Sequence, residues 1–171
     1  MKIKMTFIIF AFMFCLSVFS GALYAQSKTF AFPYDFSAED IYGKTVTQTD
    51  LGEKELFFVH YFATWCPPCV KEMPDLSVVA EKFGDRVGFI ALLDDYKSNK
   101  AAAIRIAENA GISFIIVDAE HKNFRALLRM SQSGYVPTTI LIGRDGKVIG
   151  GQIIGAHGLN YANYINKALA R

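Results

Sequence analysis

The apolar run Leu56 to Ala63 leads through Thr64 and Trp65 straight into Cys66-Pro67-Pro68-Cys69, and a helix-like stretch beginning Val70-Lys71-Glu72 follows at once. This junction constrains the chain more than any other feature, because it sets a strand, a helix and two thiols end to end. A disulfide needs its Cα atoms roughly 4.4 to 6.8 Å apart, a separation that the first turn of a helix supplies. A cysteine at a helix start also meets free N–H groups and the positive end of the backbone dipole, both of which favour thiolate over thiol. Cys66 is therefore the expected attacking thiol. Pro67 falls where a proline forfeits no needed hydrogen bond, whereas Pro68 removes a second N–H that could have solvated the sulfur.

At 171 residues and 52% apolar, the chain can bury one sizeable core. Lys2 and Lys4 precede a charge-free, Phe-rich run from Met5 to about Ala25, with small residues at Ser20, Gly21, Ala22 and Ala25. Residues 1–25 are thus expected to be a signal peptide or an uncleaved N-terminal membrane tether, the run approaching the roughly 20 residues that span a bilayer. Residues 26–171 form the working domain, expected in the periplasm or at the outer face of the cytoplasmic membrane. Cys15 lies inside the leading run, behind residues too bulky for a lipoprotein signal, and reads as apolar filler. Eighteen basic residues against sixteen acidic ones give a net charge of +2. Without Lys2 and Lys4 the two balance, which gives no footing for nucleic acid as a partner.

Only Cys66 and Cys69 then remain in the domain. A structural staple is the ordinary reading of a cysteine pair outside the cytoplasm, but a bridge closing so short a loop restrains the unfolded chain little. Redox work is the better reading. His60, His121 and His157 show no metal-ligand spacing, so neither a metal nor another cofactor is expected.

The remaining pattern alternates. Gly43-Lys44, between Ile41-Tyr42 and Thr45-Val46-Thr47, predicts a small N-terminal hairpin. Strands are expected at 56–63, 87–93 and 113–117, with helices at 69–83, 98–109 and 121–130, the second ending at Gly111. Asp145-Gly146 predicts a hairpin joining strands 138–142 and 147–154, and 159–169 reads as a closing amphipathic helix. The fold class is α/β, a mixed central sheet flanked by helices.

The stretch Phe62-Ala63-Thr64-Trp65-Cys66-Pro67-Pro68-Cys69-Val70-Lys71-Glu72-Met73-Pro74, with Tyr135-Val136-Pro137-Thr138-Thr139 and Asp145-Gly146-Lys147 downstream, resembles the extracytoplasmic thioredoxin-like proteins of the TlpA, ResA and DsbE type. The likeness runs over residues 30–170 and includes the inserted helix at 98–109. It implies a thioredoxin-like fold in which the bond before Pro137 is cis and faces the cysteines, with Val136, Pro137 and Thr138 binding substrate. By itself Pro137 reads as the start of an edge strand. Trp65 is either a shield and docking surface for the disulfide or simple packing, and Pro74 kinks its helix. Glu72 matches a carboxylate near the pair that could tune thiols or move a proton; its plainer role is an exposed charge at a helix start. His60 stands where thioredoxins resemble one another in Asp and the exported relatives commonly show Asn. It is either a proton acceptor for Cys69 or a neutral buried histidine with a backbone partner.

The resemblance implies thiol–disulfide exchange, with Cys66 attacking a substrate disulfide and Cys69 resolving the mixed disulfide. Exported protein thiols are the expected substrates, such as those of cytochrome c maturation or copper-site assembly, with a membrane electron donor and a monomeric domain. Rival readings are a dithiol oxidant or isomerase of secreted proteins and a non-enzymatic Cu(I) metallochaperone. A peroxidase is excluded on spacing: Thr64 lies two residues before Cys66, with no proline ahead of it in a Pro-x-x-x-Thr-x-x-Cys arrangement.

Overall fold

The structure, a computed structural model, describes residues 32–171, so the expected signal or anchor at 1–25 lies outside the described residues. Among the described residues there are seven strands: β1 (Ser37–Glu39), β2 (Thr45–Thr47), β3 (Leu56–Phe62), β4 (Val87–Leu93), β5 (Ile115–Asp118), β6 (Thr138–Ile142) and β7 (Ile153–Ile154). Four α-helices accompany them among the same described residues: α1 (Pro67–Phe83), α2 (Tyr96–Ala110), α3 (Arg125–Ser131) and α4 (Tyr161–Leu169). The main sheet has the order β5-β4-β3-β6-β7, in which β3, β4 and β5 run parallel, β6 pairs antiparallel with β3, and β7 pairs antiparallel with β6. β1 and β2 form a separate hairpin. This is a thioredoxin-like fold, as expected.

β3 and β4 lie at the middle of the sheet and are buried at every position, which is why both read as continuous apolar runs rather than alternating ones. Successive side chains of β3 go to opposite faces. Phe58 and Phe62 join the cluster formed with α1, α2 and α4, while Phe57, Val59 and Tyr61 join a second cluster with α3 and the N-terminal aromatics. His60 alternates onto the first face.

Three expectations shift. The N-terminal hairpin pairs Ser37–Glu39, not Ile41-Tyr42, with Thr45–Thr47. The Asp40 carboxylate accepts from the backbone N–H of Tyr42 and of Lys44, and Gly43 takes a φ of +83°, so Ile41 and Tyr42 belong to the turn. The helix expected over 121–130 divides into a 3₁₀ turn, Lys122–Phe124, and α3. The strand expected over 147–154 survives only as a bridge at Val148 and as β7, because Gly150 and Gly151 between them adopt φ of +77° and +82°. The inserted helix ends as expected, Gly111 capping α2 in the left-handed conformation.

Candidate active site

At the end of β3 the chain turns into α1 with Cys66 as N-cap residue and prolines at the first two helical positions. Those prolines leave the amide of Cys69 as the first N–H of the helix, and it donates to Cys66 Sγ at 3.3 Å. One backbone donor therefore still faces the sulfur despite Pro68, and it stabilises charge there. Cys66 and Cys69 are joined as a disulfide, with Cα atoms 5.3 Å apart. Cys69 is wholly buried, whereas Cys66 keeps a small exposed edge.

That edge faces a loop from the far end of the sequence. The Val136–Pro137 bond is cis, and the Val136 carbonyl oxygen lies 3.5 Å from Cys66 Sγ. Thr138, grouped with the substrate loop on sequence, has its side chain buried. Its hydroxyl donates to the Tyr135 carbonyl at 2.7 Å and meets Ser133 Oγ, so it braces the loop from beneath rather than reaching outward. Trp65 is 62% exposed and is not core packing. Across from it Tyr135 is 69% exposed, and the two rings line a cavity of about 380 Å³ with Tyr61, Asp94 and Val136. The backbone before Trp65 is held by Asp95, whose carboxylate accepts from the Thr64 N–H at 3.0 Å. Pro67 and Pro68 line a groove on the other side of the disulfide with Lys71, Glu72 and His157.

A cluster of polar side chains is buried in the core, one of them on the same stripe of α1 as Cys69. Glu72 is only 4% exposed, which overturns its reading as a solvated charge at a helix start. It occupies the buried stripe of α1 together with Cys69, Met73 and Leu76. One carboxylate oxygen, Oε2, accepts from the N–H groups of His157 at 2.9 Å and Gly158 at 3.3 Å. The other, Oε1, lies 3.5 Å from His60 Nε2. Burial pushes the Glu72 carboxyl up to about 7, against the opposing pull of those two N–H bonds. Burial alone drives His60 down to about 3, so its imidazole is neutral at physiological pH.

His60 has a side-chain partner, not the backbone partner expected for a bland core histidine. Its Nδ1 lies 2.9 Å from Oγ1 of Thr139, directly opposite on β6. Thr139 in turn bonds Tyr161 Oη at 3.2 Å, and Tyr161 bonds the Gly155 carbonyl at 3.2 Å. Gly158 and Tyr161 carry no motif of their own, and Thr139 stands out in the sequence only as the last residue of the Tyr135-Val136-Pro137-Thr138-Thr139 stretch. Gly158 is required as glycine, since its φ is +52° and a Cβ would come within 2.3 Å of Asp75 Oδ2. Pro74 stands inside α1 as expected, and His121 and His157 each precede a short 3₁₀ turn.

Comparison with known proteins finds relatives in sequence and in fold. Residues 31–150 match the AhpC/TSA family. Thiol-disulfide oxidoreductase ResA of Bacillus thuringiensis is 33% identical over 123 residues, covering 71% of this chain and 66% of the relative, so the chain spans just under two thirds of that protein's length. Sporulation thiol-disulfide oxidoreductase A of Bacillus subtilis is 25% identical over 76% of this chain and 77% of the relative. Among solved structures, a thiol:disulfide interchange protein of the thioredoxin family from Chlorobium tepidum superposes with a TM-score of 0.66 at 25% identity, covering 82% of this chain and 97% of that one.

Proposed function

The chain belongs to the AhpC/TSA family, and from that premise we propose that it is a thiol–disulfide oxidoreductase working through Cys66 and Cys69. The observation that carries this reading is the bonded pair at the start of α1, with the outer sulfur facing the Val136 carbonyl beside a cis proline. An extended substrate chain laid along Val136 would present its own sulfur to Cys66. The relatives named as thiol-disulfide oxidoreductases support the same chemistry.

In the reducing direction Cys66 thiolate attacks a substrate disulfide, and one substrate sulfur leaves with the electron pair of the broken bond. Cys69 thiolate then attacks Cys66 Sγ, which releases the second substrate sulfur and closes the Cys66–Cys69 bond. Two electrons pass to the substrate. Trp65 and Tyr135 flank the docking strip, Pro67 and Pro68 restrict which donors reach the sulfur, and Val136 and Pro137 supply the backbone edge. We assign the domain to reduction of disulfides in exported proteins outside the cytoplasm, as a monomer recharged by a membrane donor. Haem-attachment cysteines of cytochromes c and copper-site thiols are the substrate classes.

The test is capture. A Cys69→Ala variant should accumulate mixed disulfides at Cys66, and mass spectrometry of the adducts identifies substrate and donor. Adducts formed by Cys66→Ala but not by Cys69→Ala would reverse the two roles. Equilibration against glutathione settles direction: a potential well above about −200 mV marks an oxidant or isomerase instead.

A further inference from the structure

Two aromatic rings stand in water beside the disulfide, and local hydrogen bonds keep them there. Trp65 directly precedes Cys66, and the N–H of Thr64 before it is tied to the Asp95 carboxylate. Tyr135 directly precedes Val136; its own N–H donates to Ser133 Oγ at 3.2 Å, and its carbonyl accepts from the Thr138 hydroxyl. Gly134 allows the turn into Tyr135 with a φ of +85°. Rings of this size gain when something covers them.

The cavity between the rings also holds a charge. Asp94 follows the last residue of β4, where its N–H donates to the Phe62 carbonyl at 2.9 Å. The Tyr61 hydroxyl donates to Asp94 Oδ1, which leaves Oδ2 without a hydrogen-bond partner among the described residues. Burial, and after it the bond to Asp94, raises the Tyr61 pKa, so the phenol stays a donor. Gln132 and Gly134 complete the lining, and among the described residues no basic side chain contributes to it. Lys97 is held instead by Glu120 at 2.8 Å, and Asp95 is engaged by Thr64 and Asn99.

These walls discriminate among entering side chains. An apolar one would cover the rings but strip water from the Asp94 carboxylate and return no hydrogen bond. An acidic one would meet a like charge. A cation gains twice, because the ring faces attract it and Oδ2 accepts its N–H. A guanidinium is flat enough to lie against a ring and forked at its end, so it fits better than an ammonium.

We propose that this cavity is a substrate subsite for a cationic side chain, arginine above all, carried within about two residues of the cysteine that Cys66 attacks. Val136 sets that distance. It lines the cavity, and its carbonyl lies 3.5 Å from Cys66 Sγ, while an extended chain laid along it advances roughly 3.3 Å per residue. The subsite presupposes the redox function proposed for Cys66 and Cys69 and adds a substrate class, disulfides flanked by a basic residue.

Trp65 is the single tryptophan of the chain, so its fluorescence reads the subsite without any exchange. The oxidised full chain is titrated with short peptides that carry serine at the reacting position and arginine one or two residues to either side. Matched peptides carry citrulline, the uncharged isostere of arginine, or norleucine or glutamate. In the best register arginine should bind about tenfold tighter than citrulline, with glutamate weakest and the gap narrowing as salt is raised. Asp94→Asn should remove the preference, and Asp94→Glu, which keeps the charge, should retain it. With cystine-linked versions of the same peptides, the reduced protein should show a kcat/KM about tenfold higher for arginine than for citrulline.

Equal affinity for arginine and citrulline overturns the subsite, as does a norleucine peptide that matches arginine or an Asp94→Asn variant that keeps the parent's preference. Arginine-selective binding by a protein that exchanges no disulfides counts against the redox function and leaves the subsite standing. Exchange without selectivity does the reverse.

Discussion

The two faces of β3 make opposite use of one buried strand. Phe57, Val59 and Tyr61 point into a cluster with Phe32, Phe36, Phe124 and Leu127 that is closed by edge-on aromatic contacts. Phe58, His60 and Phe62 point the other way, and there the same depth of burial holds an imidazole, a carboxyl, a hydroxyl and a phenol. Apolar contact is non-directional and tolerates small errors, whereas each buried polar group costs about 1–3 kcal/mol if left unpaired. The first face is built to hold the fold, and under the proposed function the second spends stability on poising the cysteines.

Substitutions on the two faces should therefore fail in different ways. Cys66→Ala has the largest functional effect: exchange should fall to the uncatalysed background in a reductase assay, while chemical denaturation shows the fold retained. Phe57→Ala, on the apolar face, should cost about 3–5 kcal/mol by denaturation through the cavity it leaves. Its cysteine couple should keep the parent's equilibrium with glutathione. A shift in that equilibrium as large as the one caused by changing His60 would erase the distinction between the faces.

Gly158→Ala tests the polar face through its support. The new Cβ meets Asp75 in a left-handed backbone, so a loss of order 1–3 kcal/mol is expected in thermal unfolding. The same change displaces an N–H that holds Glu72 down, so carboxyl titration followed by ¹³C resonance should move further upward.

The smallest effect is in the pH dependence of stability. Glu72 sits above its ordinary value of 4.5, so alone it contributes stability that is full below pH 4.5 and lost as pH rises toward 7. His60 sits below its ordinary 6.5, so alone it contributes stability present above pH 6.5 and lost as pH falls toward 3. Between 4.5 and 6.5 the folded pair and the unfolded pair each bind one proton, and the two contributions cancel. His60→Asn should unmask a falling stability and Glu72→Gln a rising one, each by at most about 1.4 kcal/mol per pH unit. Parallel profiles for both variants would break the comparison at its centre.

Much of this was legible in the chain. β4 and β6 occupy the residues their apolar runs mark out, and the β3–α1 junction follows from a strand ending at Phe62 and two prolines starting a helix. Burial of Glu72 was also encoded, since it shares the stripe of Cys69, Met73 and Leu76. The break before β7 was hidden because Asp145-Gly146 signals a hairpin strongly, while the effect of Gly150-Gly151 depends on the φ each adopts. The hydrogen-bond chain was beyond local reading. Thr139 meets His60 only because β6 inserts beside β3, and Tyr161 arrives from the far end of the domain on α4.

The central claim is that the Cys66–Cys69 bond opens and closes in the folded protein. Native protein equilibrated with graded dithiothreitol, quenched by alkylation and weighed intact, addresses it directly, with circular dichroism followed on the same samples. The account predicts that two alkylated thiols appear together while the folded signal is unchanged, and that removing the reductant under air restores the bridge. A bridge that stays closed until the fold is lost would contradict it.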